Sequence, residues 1–223
     1  MVVRVAQNQI PEGLHPVSVT NPAPADCASS EPVQLRVVPP PAVDAVAPEP
    51  ACVAQGERVF TVTGSGFLVI SGQTPTVRIG DAEAVVNAVD GCTDLEGATG
   101  VQSCTSLTVS LPAGALLPGE HPVVVTNPYG ASCVSAGDVA LTVTAPPEIT
   151  AIAPNPVCTA QSDMEIRIEG SGFLRIGGVM PELFIGGLEI FDLRMDESSC
   201  EPVPGVSDAV SCTRLFAVIA QGA

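Results

Sequence analysis

The sequence predicts an all-β protein built of repeated sandwiches, and three observations carry that reading. Short β-branched runs alternate in polarity with a period of two, turn formers interrupt them at close intervals, and the chain repeats itself 106 residues on. With 21 Gly and 22 Pro among 223 residues, few segments could sustain a long helix. There is no Trp and a single Tyr, so the cores must be aliphatic.

The repeat is read residue by residue. His15-Pro16-Val17 through Thr20-Asn21-Pro22 recurs as His121-Pro122-Val123 through Thr126-Asn127-Pro128. Cys27 maps to Cys133, Cys52 to Cys158, and Gly64-Ser65-Gly66-Phe67 to Gly170-Ser171-Gly172-Phe173, all at the same offset. Cys92 and Cys104 map to Cys200 and Cys212 at an offset of 108, so the later copy holds two extra residues before Cys200.

Alternation places the strands. Phe60 and Val62 should face a core, with Val59, Thr61 and Thr63 outside. Their counterparts Ile166 and Ile168 alternate with Glu165, Arg167 and Glu169, which marks the wet face. Val77 and Ile79 match Leu183 and Ile185, each pair followed by a glycine (Gly80, Gly186) in an expected hairpin turn. Val33, Leu35 and Val37 match Val139, Leu141 and Val143 as a closing strand. Strands so short and so regularly interrupted predict tandem immunoglobulin-like β-sandwiches of about seven strands, joined by Pro-rich linkers.

The linkers set the phase. Pro39-Pro40-Pro41 and Pro146-Pro147 each lead into a strand ending in Ala-Pro-x-Pro, and such prolines favour stiff, extended joints. One complete domain is expected over residues 42–147. Residues 1–41 then read as the last strands of a preceding domain and residues 148–223 as the first strands of a following one. The division falls in the same strand at both ends, since Val3 and Val5 align with Val109 and Leu111, and Leu215-Phe216 with Leu107-Thr108.

The ordered segments Ala45 to Pro50, Val62 to Phe67, Val77 to Gly80, Leu107 to Pro112, Gly119 to Pro128 and Leu141 to Val143 resemble the immunoglobulin-like domains shared by plexins and transcription factors, the IPT/TIG family. A second set begins at Ala151, so the resemblance reaches across most of the chain. It implies that the Gly-x-Gly-Phe segment closes a strand with a tight turn and buries its Phe. The four cysteines per repeat depart from the common pattern. With the Pro-rich joints they resemble bacterial cell-surface versions of the domain, which implies a spacer or adhesive stalk.

Composition excludes several function classes. The formal charge is −16, and all eight basic residues are Arg. Such a surface lacks the basic clusters that neutralise phosphate, so neither nucleic acid nor insertion into a membrane is expected. No stretch approaches the roughly 20 apolar residues of a membrane helix. Acidity of this kind serves solubility, with cation binding as the competing reading. Eight cysteines without a C-x-x-C pair favour an oxidising compartment, extracellular or cell-surface. The start Met1-Val2-Val3-Arg4 lacks the apolar stretch of a signal peptide and reads as a strand, so the chain is expected to be a segment of a secreted protein.

No catalytic residue, cofactor or metal ligand is expected. Gly64-Ser65-Gly66 lacks the third glycine of a dinucleotide fingerprint, because Val69 stands there, and the residues beyond it are apolar strand rather than a helix start. His15 and His121 precede prolines in equivalent positions and read as strand entries, with no nucleophile and carboxylate signature beside them. Asp81-Ala82-Glu83, Asp94-Leu95-Glu96 and Asp196-Glu197 are the acidic stretches; none repeats its pattern in the other copy, as a calcium loop would, and they read as solvated loop charges. Nothing singles out a carboxylate pair for glycoside hydrolysis.

The cysteines are the sharpest candidates. Cys92–Cys104 and Cys200–Cys212 keep a spacing of twelve despite different intervening residues, and both are expected as disulfides. Cys52, in the first strand of the complete domain, is expected to bond Cys133, before its last. Cys27 and Cys158 then lack a partner in their own chain and could join two molecules. The resulting picture is a non-catalytic extracellular structural or adhesive repeat protein: a stalk, a surface fibre or a head-to-tail filament subunit. Its partners would be other copies of itself or neighbouring repeats of a longer chain, with a surface glycan or protein as a further class. A carbohydrate-binding or enzyme-accessory module of a glycan-active protein is the alternative. It would need exposed aromatics, and among seven only Tyr129 is a plausible stacking residue.

Overall fold

Alternation becomes strand almost wherever the sequence shows it. A computed structural model of the chain describes residues 5, 9–52, 56–158 and 163–220. Those residues form β1 (Gly13–Val17), β2 (Val33–Val37), β3 (Ala42–Ala47), β4 (Arg58–Ile70), β5 (Thr76–Ile79), β6 (Ala82–Asp90), β7 (Thr93–Asp94), β8 (Val101–Leu111), β9 (Gly119–Thr126) and β10 (Ala140–Val143). They continue as β11 (Glu148–Ala153), β12 (Met164–Ile176), β13 (Leu183–Ile185), β14 (Leu188–Ile190), β15 (Leu193–Met195), β16 (Cys200–Pro202) and β17 (Ala209–Ile219). The sole helical element among them is a 3-10 turn, Glu197–Ser199. The protein is all-β.

Packing divides the chain into two compact units: 1–48, 57–112 and 121–141 in the first, and 49–56, 113–120 and 142–223 in the second. In the first, strands are ordered β9-β5-β6-β8-β4-β3, with β7 beside β8 and β10 beyond β9, all in one hydrogen-bonded path. β6 is the strand that turns this path into two layers. Its first residues pair with β5 (Val77↔Ala84, Ile79↔Ala82) and its later ones with β8 (Val86↔Val109, Val89↔Leu107), with an irregularity between Val86 and Ala88 in the β8-paired part. The inward residues of both layers are sealed: Phe60, Val62, Leu107, Val109, Val77, Ile79, Val123, Val125 and Leu141 have no exposed surface. The outward Val59 and Thr63 are exposed, so the period-two assignment holds for β4. β1 and β2 form a separate antiparallel hairpin, with His15 opposite Leu35.

The second unit repeats the pairing of the first. β4 pairs with β8 from Arg58↔Leu111 to Ile70↔Val101, and β12 pairs with β17 from Met164↔Ile219 to Ile176↔Ala209, in matching register. Its core gathers Ile166, Ile168, Phe173, Leu183, Met195, Leu215 and Ala217. The counterpart of β6 is broken here into β14 and β15, so β13-β14 stands as a two-stranded sheet apart from β11-β12-β17-β15. Elsewhere in this unit Ala51 pairs with Val143, and the Thr142 N–H donates to Glu49 Oε1 at 2.8 Å.

The Gly-x-Gly-Phe segment does not close a strand. It forms a bulge inside the continuous β4 and again inside β12, between Thr63 and Phe67 and between Glu169 and Phe173. Geometry dictates the glycines. A Cβ on Gly64 would collide with the Ala42 carbonyl oxygen and the Phe67 ring, one on Gly170 with the Glu148 carbonyl oxygen and the Phe173 ring, and Gly66 and Gly172 sit at φ +70° and +69°. The bulge folds the chain over each phenylalanine, and Phe67 and Phe173 are buried.

Candidate interaction surface

The most specific polar device in the structure is an asparagine clamp. Asn127, at the end of β9, is buried; its Oδ1 accepts from the Leu68 N–H at 2.9 Å and its Nδ2 donates to the Gly66 carbonyl at 2.9 Å. The side chain therefore ties the β9 end to the backbone that the β4 bulge leaves without ladder partners. The loop behind it is held by Asn127 N–H to the Cys133 carbonyl at 2.9 Å, and by Ser135, whose N–H donates to the Val125 carbonyl and whose Oγ accepts from the Val125 N–H, both at 2.9 Å. Asn127 and Ser135 were not singled out from the sequence. The signal was there, because both recur at the repeat offset as Asn21 and Ser29.

The β1–β2 hairpin reproduces that loop bond for bond. Asn21 N–H donates to the Cys27 carbonyl at 2.9 Å, Ser29 N–H to the Val19 carbonyl at 2.8 Å, and Ser29 Oγ accepts from the Val19 N–H at 3.2 Å. What differs is exposure. Val123, Val125 and Leu141 are sealed, whereas their counterparts Val17, Val19 and Leu35 are 47%, 53% and 44% exposed, and Asn21 is exposed as well.

The second unit shows the reciprocal lack. β9 covers the outer edge of β5, pairing Val125 with Val77 and Val123 with Ile79. Among the described residues β13 pairs with β14 alone. Ile185 is 38% exposed where Ile79 is sealed, and Ile152 of β11 is 44% exposed where Val46 of β3 is buried. An open apolar cavity of about 420 Å³ lies beside this edge, lined by Ile149, Ile168, Phe173, Met180, Leu183 and Leu215. Phe184 and Phe191 are exposed too. Tyr129 is 91% exposed.

The remaining candidates fall into place around these surfaces. Cys92 is bonded to Cys104 and Cys200 to Cys212, each across an antiparallel pair: Thr93 faces Ser103 next to the first, and Cys200 faces Cys212 directly in the second. The expected Cys52–Cys133 bond is not formed. Cys52 follows Ala51, the partner of Val143, while Cys133 lies at the far end of the extended run that leads through Val134 and Val139 to Val143. At about 3.3 Å per residue that run is far longer than a disulfide can bridge. Cys27 and Cys158, expected to join two molecules, are exposed residues.

His15 Nε2 donates to the Pro11 carbonyl at 2.8 Å, and His121 lies over the Gly80 turn, whose N–H donates to the Pro122 carbonyl. Asp81 and Asp94 are surface residues, next to Arg78 and Gln102. Asp196 and Glu197 meet solvent, as the sequence implied, but each is also held by a partner. Asp196 accepts from the Ser198 hydroxyl at 2.6 Å and from Arg214 at 2.7 Å, and Glu197 holds Arg175 with both carboxylate oxygens. Ser198 first, then Arg214, hold the Asp196 carboxyl below its ordinary value, and the Arg175 hydrogen bond does the same for Glu197. Among the described residues no three His, Cys, Asp or Glu side chains group as metal ligands, and no helix is long and apolar enough to cross a membrane.

Residues 41–140 match the family model of the IPT/TIG domain, and they carry the buried strands, the bulge and the clamp just described. This part of the chain is an IPT/TIG domain. Domains of that family are immunoglobulin-like modules of interaction rather than catalysis. The match ends within β10; residues 148–220 share with the matched part the strand register, the glycine bulge and the disulfide spacing. No curated protein matches the chain.

Proposed function

We propose that the chain is a non-catalytic extracellular structural or adhesive repeat, in which residues 42–147 are one complete domain, residues 1–41 the last strands of a preceding one and residues 148–223 the first strands of a following one. One observation carries the reading most directly. Everything the copies share — bulge glycines, buried phenylalanines, clamp asparagines, twelve-residue disulfide loops — serves folding and cross-strand fit. None of it assembles a nucleophile, a general base or an anion hole. The two disulfides are compatible with an oxidising compartment.

The experiment has two arms. Thiol trapping in cells that make the protein should find Cys92 and Cys104 oxidised; a reduced pair would remove the extracellular placement. A screen against glycoside, ester and peptide substrates should show no turnover; turnover lost in His121→Ala would make the chain an enzyme. The carbohydrate-binding alternative has some support in the exposure of Tyr129 and Phe191. Glycan-array binding abolished by Tyr129→Ala would favour it.

A further inference from the structure

Both disulfide loops end in the same turn, and each turn has a neighbour resting on it. In the first loop the Ala98 N–H donates to the Leu95 carbonyl at 3.1 Å, and in the second the Val206 N–H donates to the Val203 carbonyl at 3.3 Å. Gly97 and Gly205 hold the third position of these turns at φ +77° and +76°, a conformation that favours glycine. The space beside them is taken as well. A Cβ on Gly97 would collide with the Leu14 side chain of β1, and one on Gly205 would stand 2.9 Å from Glu120 Oε1 of β9 and 3.0 Å from Thr142 Oγ1 of β10. Leu14 and Glu120 are one position of the repeat, 106 residues apart, and so are Arg36 and Thr142. The contact therefore recurs, once inside each compact unit, between unlike side chains. We propose that the turn at the tip of the disulfide loop is a docking seat for the closing strands of the preceding repeat, and that it restrains the joint between consecutive repeats.

The occupant is the edge formed by β1 and β2, where Leu14 faces Arg36, or by β9 and β10 in the next copy. The two joints are held by different chemistry. Thr142 is buried, and its hydroxyl donates to the Pro204 carbonyl at 3.3 Å, one residue before Gly205. At the equivalent place Arg36 leaves its Nε buried without a hydrogen-bond partner, so the first joint relies on Leu14 packed over Gly97. Placement is kept while the means of adhesion changes, as expected where position is what matters. The prolines at 39–41 and 146–147 stiffen the chain that crosses each joint. A single covalent crossing still lets two bodies swivel, and a second contact away from it removes that freedom. The Cys92–Cys104 and Cys200–Cys212 bonds close the loops behind the two turns and keep the seats in shape. The proposal rests on reading the chain as consecutive repeats; its test follows motion at the joints, so it can fail while the compartment and the lack of turnover stand.

The test is nuclear magnetic resonance of the oxidised full chain in a weakly aligning medium, with residual dipolar couplings read from β1 and β2 and from β4 and β8. In the wild type all four strands should fit one alignment tensor. Leu14→Asp should lose that common alignment. Gly97→Ala should lose it too, and it reaches the joint from the loop with the hairpin sequence untouched. Cross-strand contacts between β1 and β2 check that the hairpin stays folded. Gly72→Ala controls for backbone strain, because Gly72 has φ +80° with open space around it, and it should keep the wild-type alignment. In the second joint Thr142→Val removes the hydroxyl and should speed hydrogen exchange of the Val206 amide, whose N–H closes the turn. A wild-type hairpin that aligns independently, or a folded hairpin that keeps the common tensor in Gly97→Ala, would overturn the proposal. So would a joint loosened equally by Gly72→Ala, or Val206 exchange unchanged in Thr142→Val.

Discussion

A single side chain can have two energetic roles in one sequence, and the two asparagines of the repeat show it. Asn127 is buried and answers a backbone donor and a backbone acceptor; Asn21 is exposed. Asn127→Ala leaves the Leu68 N–H buried and unpaired, and should destabilise the fold by about 1–3 kcal/mol. Asn21→Ala should leave the melting temperature of the monomer unchanged. Thermal denaturation of the two variants at low protein concentration checks both, and equal losses would refute the assignment. Asp196 and Glu197 give a second prediction at this scale. The folded chain holds both carboxyls below their ordinary values, so the unfolded chain takes up protons first as pH falls. Their contribution is present at neutral pH and is lost as the pH drops below the ordinary values of 4.5 for Glu197 and 3.8 for Asp196. The effect is small because the groups meet solvent. Melting temperature between neutral pH and about pH 3 should fall less in Asp196→Asn than in the wild type. These ion pairs were illegible in the sequence, since Arg175 and Arg214 reach their partners across strands rather than along them.

Elements were legible in proportion to how far period two decides them. β4 and β12 were read with their faces correct because Glu165 and Arg167 in the second copy mark the side that Val59 and Thr61 leave ambiguous in the first. The bulge was misread as a strand end: glycine signals a break in side-chain packing, and only the paired strand shows that the backbone continues. Nothing in the composition of β6 announces that it serves two layers, because its partner changes from β5 at Ala84 to β8 at Val85 with no break in the strand. The cysteine pairs show the same limit. Equal spacing identified the two short loops, where both members sit on neighbouring strands; position alone gave Cys52–Cys133, where strand direction puts the sulfurs apart. Each short loop spans a sequence separation of 12, and removing one bond (Cys92→Ala with Cys104→Ala) should lower stability by about 3 kcal/mol in the chain-entropy model. Chemical denaturation should show that loss. A variant as stable as the wild type would mean that the β7–β8 pairing already restrains the loop.

At the scale of the whole molecule, charge opposes compaction. Every chain carries a formal charge of −16. Residues 148–220 hold eleven carboxylates against four arginines, each of those already paired within its own unit. Like charges gathered on a folded chain repel one another, and unfolding lets them separate. Salt weakens that repulsion, because the screening length shrinks from about 30 Å at 0.01 M to about 3 Å at 1 M ionic strength, and apolar burial is not screened. The melting temperature should therefore rise as salt is raised over that range, the reverse of what a fold held by surface ion pairs would do. Thermal denaturation at stepped sodium chloride measures it. A melting temperature that falls with salt would place more of the stability on the ion pairs of Arg175, Arg194 and Arg214 than on the apolar cores.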